Sequence, residues 1–396
     1  MKVLFYRYNS ICEPDFIDAF KKIGLEVSEM TVEMYRKDIP GEERVRLLLE
    51  RIVKDQPLFV FSIDYFPFIS MVCERVGIIY AALSVDCPVA EIYSKDISDK
   101  CNRVFLFDRI QHESVQDFNP GNIRYMPLGA AVDRLDKLPF PDEYRYGVSF
   151  IGSTYEEKDR YLMLVKSGRL RGVALERLEM IISRQVNKPG LDLIEQMITD
   201  ADIEALKAAD PEFYSCEDSA IDMDRYVAIN NYIGNHLTYL DRKRILNRLA
   251  SELPSGTVHL FTRSSAKGLS PDLVIHDGVD TLTQMPEVFR SSKINLNLTS
   301  RTIRCGLPQR IWDILGCRAF CLTDSTPAMD TLLQDGRDLK TFDSYDSLHD
   351  AVLHCLENDE EREEIAITGF ENVAASHTVL HRALEIVKII LSEKLA

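Results

Sequence analysis

Short apolar runs alternate with amphipathic stretches along the first 130 residues. Lys2–Tyr6 reads as a strand, Pro14–Ile23 as a helix and Leu25–Val32 as a second strand. Glu42–Lys54 places Val45, Leu48, Leu49 and Ile52 on one helical face. Leu58–Ile63 is continuously apolar, the pattern of a strand covered on both faces of a parallel sheet. Ile78–Val85, Arg103–Phe107 and Ile123–Pro127 complete a βαβα rhythm that predicts a doubly wound domain over residues 1–133. From Arg134 to Tyr146 the chain is rich in Pro, Asp and Lys, which marks a linker.

A new strand is expected at Val148–Gly152, opening a second domain over 145–376. Residues of about 155–249 carry almost no strand signal and read as a helical insertion, with helices at Ala174–Arg184, Leu191–Ile198 and Tyr239–Leu249. The strand–helix rhythm resumes at Val258–Thr262, Leu273–His276, Ile294–Leu298 and Ala319–Thr323. It closes with helices at Ser347–Asn358, Glu360–Ser376 and His377–Leu395. The predicted class is therefore α/β, with two Rossmann-like domains facing a cleft. A binding-protein-like pair of the secreted kind would want a leader, and the apolar run at Met1–Tyr6 is too short for one.

Composition narrows the partners. The 396 residues carry 47 Lys and Arg against 63 Asp and Glu, a net charge of −16. Such a surface repels nucleic acid and anionic lipid, and no apolar stretch reaches 18 residues. Small molecules, proteins and neutral glycans are the expected partners, with self-association through the helical insertion as an open option. Nine cysteines are scattered without paired spacing, some inside apolar runs such as Cys73 and Cys321. Reduced thiols in a cytoplasmic protein are the natural expectation.

The segment Lys293–Asp324 concentrates the chemistry. A strand runs into the polar loop Asn297, Thr299, Ser300, Arg301, then Arg304, Gly306, Leu307 and Pro308, where a helix begins. Pro suits the first helical turn. Backbone N–H groups and the positive helix end suit phosphate there, and Arg301, Arg304 and Arg310 add three fixed charges whose forks match a diphosphate. The same residues can equally be surface charges around a chain turn.

The run Ser292–Thr299 with Gly306-Leu307-Pro308-Gln309-Arg310-Ile311-Trp312-Asp313-Ile314-Leu315-Gly316-Cys317 and Phe320–Asp324 resembles the C-terminal domain of spore-maturation-protein-B-type glycosyltransferases, bacterial relatives of the group 1 transferases. Phe61–Pro67, Ser84–Pro88 and Val104–Arg109 resemble the domain that precedes it in such sequences. The likeness implies the GT-B fold. It also implies a C-terminal domain that binds a nucleotide sugar, an N-terminal domain that presents a protein or glycan acceptor, and a last helix (377–396) packed back on the N-terminal domain. It assigns Asp313 to the ribose hydroxyls, Asp277, Gly278 and Val279 to the base, and Arg263 to the diphosphate. Retaining relatives carry a Glu eight positions before that carboxylate, where this chain has Cys305.

Glycosyl transfer needs stabilisation of a leaving diphosphate and, for inversion, a base. No metal or other cofactor is expected, because arginines and helix N–H groups can serve the first need, and Asp222-Met223-Asp224 falls inside the helical insertion. Asp86 is the first candidate base, with Asp64 and His112 behind it; Asp86 also suits a cap ahead of Pro88. His377 and His381 share a helix face but lack a third ligand, so capping is the simpler role. The function expected is metal-independent transfer from a UDP-sugar. The competing readings are a nucleotide-sugar epimerase and a non-catalytic scaffold.

Overall fold

The computed structural model describes residues 1–216 and 218–395. The chain divides into two compact units. Unit 1 comprises Met1–Lys137, Cys305–Gly316 and Asn372–Ala396; unit 2 comprises Leu138–Arg304 and Cys317–Glu371.

Unit 1 holds a parallel sheet of six strands: β1 (Lys2–Tyr6), β2 (Glu26–Met30), β3 (Phe59–Ile63), β4 (Ile79–Leu83), β5 (Asn102–Leu106) and β6 (Ile123–Tyr125), in the order β2-β1-β3-β4-β5-β6. All five residues of β3 are buried, as its continuous apolar run requires. Phe5, Phe16, Phe20 and Phe61 pack ring to ring between β1, β3 and the helix Glu13–Lys22. The strand order reverses between β1 and β3, which fixes the topological switch point of this sheet.

Unit 2 holds β7 (Tyr146–Ile151), β8 (Val258–Thr262), β9 (Val274–Asp277), β10 (Ser292–Asn297), β11 (Cys321–Asp324) and β12 (Lys340–Phe342). Their order, β12-β11-β10-β7-β8-β9, is that of a dinucleotide-binding Rossmann sheet, with its switch point between β7 and β10. All pairings are parallel. Val148, Phe150, Leu260, Ile294, Leu296 and Leu322 form the core with Leu246, Leu249 and Val352. Between β7 and β8 the chain is helical: 160–166, 172–185, 192–197, 200–209, 223–227, a π-helical turn at Ala228–Gly234, and 235–252. β12, only three residues long, has no counterpart in the sequence expectation.

Residues 305–316 cluster with unit 1, although the sequence reading places them in the second domain. The cause is close packing within unit 1. A Cβ on Gly306 would lie 2.7 Å from the Phe107 ring and 2.9 Å from its carbonyl oxygen, and one on Gly316 would lie 2.8 Å from Leu135. Trp312 is fully buried against His377.

Candidate functional site

The carboxyl ends of β8 and β9 enclose a polar cavity of about 640 Å³ lined by Thr262, Arg263, Ser264, Ile275, His276, Asp277 and Gly278. Arg263, Asp277 and Gly278 are thus brought together as the sequence suggests; Val279 is half-buried in the turn that follows and is not among the lining residues. Gly278 is required sterically: a Cβ there would stand 2.4 Å from Arg263 Cγ, so only glycine lets that side chain lie across the turn. His276 stacks on Phe261 at 4.3 Å, and its Nε2 lies 3.0 Å from His259 Nδ1. Burial lowers the pKa of both imidazoles, and their mutual repulsion adds to the effect at His259. The wall of the cavity therefore disfavours a second positive charge.

At the switch point the key residue is Arg242, which sequence reasoning missed. Its guanidinium donates to Ser153 O after β7 (2.7 Å) and to Leu298 O after β10 (2.6 Å), tying the two strand ends together. It lies over the Phe150 and Tyr155 rings at 5.3 and 4.6 Å. Its Nε is buried without a hydrogen-bond partner, and burial lowers its pKa. The available signal was the run Asp241-Arg242-Lys243-Arg244, about two turns into the helix that precedes β8. Ser264 closes the neighbouring loop, accepting from Thr154 N–H (2.9 Å) and donating to Glu157 (2.9 Å).

The polar groups of the segment expected to cradle phosphate have partners within the chain. The N–H groups of Cys305 and Gly306 both donate to Asp108, at 2.8 and 2.9 Å. Arg301 is paired with Asp241 and reaches the Lys188 and Val186 carbonyls; Arg304 is paired with Asp192 and with Glu195 (2.6 Å). These carboxylates and carbonyls come from the helical insertion, whose fold brings them to the loop. Asn297 is buried and donates to Thr299 and Thr323, the Thr299 N–H donates to Asp324, and Ser300 lies between Thr302 and Thr238. Leu307 is core, and Pro308 O accepts from Ile311 at the helix start.

Asp313 is buried rather than open. It accepts from Gln309 at 3.0 Å, and burial holds its carboxyl above the usual range despite the charge of half-buried Arg310. Cys305 is buried too, and burial raises its thiol above the ordinary value. The paired Asp222 and Asp224 serve as a helix cap and as the partner of Lys207. His381 bonds Thr378 at 2.8 Å, and His112 Nε2 lies 3.3 Å from Ile123 O.

At the switch point of unit 1 Asp64 occupies the left-handed region with φ +55°, an unusual place for a carboxylate. It accepts from the Tyr8 hydroxyl (2.5 Å), Ser84 Oγ (3.2 Å), Val85 N–H (2.9 Å) and Asp86 N–H (3.4 Å). Asp64 is buried, whereas Asp86 is exposed beyond β4. Burial, reinforced by Asp64, pushes the Tyr8 hydroxyl above its ordinary range. The phenol thus stays a donor.

Residues 242–388 match the family described as glycosyl transferase-like. No curated protein matches the chain. Among solved structures, the Anabaena protein HepE in complex with UDP and glucose shares 9% identity at a TM-score of 0.56, covering 99% of this chain and 100% of that one. A glycosyltransferase from Rickettsia africae shares 11% at 0.52, covering 98% of each. A candidate UDP-N-acetylglucosamine 2-epimerase from Listeria monocytogenes shares 10% at 0.50, covering 99% and 97%. Two parallel Rossmann-like sheets and the likeness to these structures define the GT-B fold. The segment similar to the glycosyl transferase-like family, residues 242–388, spans less than half of the chain.

Proposed function

We propose that the chain transfers a sugar from a nucleoside diphosphate donor, a UDP-sugar, to a hydroxyl of a protein or glycan acceptor, without a bound metal. The observation that carries this reading is the cavity at the ends of β8 and β9. Its volume suits a nucleoside, and in a sheet of this order the base lies over those strands while the phosphates lie toward the switch point. Asp277 and the Gly278 backbone supply acceptors and donors for base and ribose, and Arg263 supplies the first positive charge. The Gly152–Thr154 loop after β7 is the proposed diphosphate position, with Arg242 holding the ends of β7 and β10 together beside it. HepE, on the same fold, has also been solved with UDP-glucose.

In unit 1, exposed Asp86 is the proposed base for the acceptor hydroxyl, held at the strand end by Asp64. Arginines and backbone N–H groups act where charge develops on the leaving diphosphate, so turnover should survive chelation of divalent metal. The likeness to the candidate epimerase favours one second reading, conversion of the nucleotide sugar without transfer. Incubation with a panel of nucleotide sugars, with and without EDTA, separates the two. Release of UDP supports transfer, isomerised donor without release supports epimerisation, and loss of turnover with EDTA sinks the metal-free mechanism.

A further inference from the structure

The helical insertion contains a buried titratable pair that the mechanism above leaves unused, His236 and Asp159. Asp159 ends the loop after β7 and caps the helix 160–166 through Leu162 N–H at 2.8 Å. Its other oxygen lies 2.7 Å from His236 Nδ1, and the two side chains are 0% and 10% exposed. The Tyr161 ring stands 4.7 Å from the imidazole and fixes its plane. With one oxygen held by a helix end and the other by the ring, the carboxylate cannot swing. His236 Nδ1 is therefore committed, and Nε2 is the nitrogen left for a ligand.

Position makes this pair more than a cap. His236 lies two residues after the π-helical turn Ala228–Gly234, a local widening that recurs at functional sites. The start of its helix is hydrogen-bonded to the loops that follow both strands of the switch point. Asn235 donates to Lys158 O on the β7 side, and Thr238 Oγ1 accepts from Arg301 N–H on the β10 side. Arg242, on the same helix, bridges those strand ends through Ser153 O and Leu298 O. Ligands of doubly wound sheets bind beyond the strand ends at this crevice.

We propose that His236 is a catalytic residue of the donor site and that its Nε2–H donates to the diphosphate as that group departs, with Asp159 as its positioning residue. The proposal rests on the glycosyltransferase reading above. In the step, the bond between the sugar anomeric carbon and the diphosphate oxygen breaks and its electron pair stays on that oxygen. The Nε2 proton passes to the diphosphate. The acceptor oxygen bonds the anomeric carbon, its proton leaves to a carboxylate base, and the imidazole regains a proton from solvent.

The test uses the full chain with UDP-sugars and reads UDP release, its pH profile, UDP affinity by calorimetry and melting temperature. His236→Asn keeps an amide donor for Asp159 but removes Nε2. It should lower kcat by about 100-fold and abolish the alkaline limb of the pH–rate profile, with melting unchanged. Asp159→Asn should lower kcat less and leave KM for the donor alone. Wild-type kcat and pH profile in a normally melting His236→Asn protein would overturn the proposal. Should that variant fail to fold, His236→Gln serves the same comparison, because its amide can reach the Nε2 position but cannot act as an acid. Calorimetry with UDP alone reads the contact without turnover: His236→Asn should weaken binding about tenfold, and unchanged affinity overturns the contact. If wild-type protein binds UDP yet releases none from any donor, the transfer reading fails while this contact is still judged by calorimetry.

Discussion

Unit 1 and unit 2 each carry six parallel strands, yet the side chains at their switch points differ in character. Beyond β1, β3 and β4 stand Tyr8, Asp64 and Asp86, carboxylates and a phenol joined by hydrogen bonds. Beyond β7, β8 and β10 stand Arg242, Arg263 and His236, with carboxylates arranged as their partners or neighbours. Under the proposed function, the first would take the acceptor hydroxyl and the second the leaving diphosphate. Two parallel six-stranded sheets of different strand order thus present different side chains at their strand ends.

The comparison breaks most sharply at Asp86. Asp86→Asn should cost at least about 100-fold in kcat while UDP affinity stays unchanged, as calorimetry beside a steady-state assay would show. A normal rate would remove unit 1 from the proton transfer. Arg242→Ala should act the other way, weakening UDP binding by about 10–100-fold and lowering melting, since two backbone carbonyls lose their donor. Arg301→Ala provides the contrast: it should lower melting while leaving UDP affinity intact, because its fork is spent on the insertion. A large loss of affinity there would restore the phosphate role read from sequence.

Those arginines show where sequence reasoning stops. The strands were legible because burial dictates composition locally: β3 is buried throughout and is apolar except for the hydrogen-bonded Ser62. The cavity was half legible: the family resemblance pointed to Arg263, Asp277 and Gly278, and the periodicity located the strands they follow. The partners of Arg301 and Arg304 were not, as they lie 60 to 115 residues away in an insertion with no diagnostic pattern. Asp108 likewise claims the N–H groups of Cys305 and Gly306 from 197 and 198 residues away. A cluster of cations in sequence gives charge density, and only the fold shows which of those charges are already neutralised. Arg242 was hidden for the opposite reason: one arginine in a charged helical run acquires meaning only when the strand ends on both sides of it are known.

Acidity should separate the units further. Folding lowers the pKa of His259 and His276, so the unfolded chain binds protons more readily than the folded one. Their contribution to stability is complete above the ordinary histidine value, about 6.5, and is lost as pH falls through their lowered folded values. Melting temperature should therefore decline between neutral and mildly acidic pH, and a His259→Asn, His276→Asn protein should show a flatter decline. An equal slope in both proteins would show that other groups carry the acid sensitivity.

The smallest effect is expected at Gly278. A methyl group there must displace the Arg263 stem, because the built Cβ comes within 2.4 Å of Cγ and 3.0 Å of Nε. Gly278→Ala should therefore weaken UDP binding by roughly threefold to tenfold, about 1 kcal/mol, with little change in melting at this half-buried turn. The mechanism is specific enough for a double-mutant cycle. If the glycine matters because it seats Arg263, then Arg263→Ala alone should lose as much as the pair, and adding Gly278→Ala should cost nothing more. Additive losses would mean that the glycine backbone itself meets the nucleotide, which would place the base deeper over β9 than the cavity lining implies.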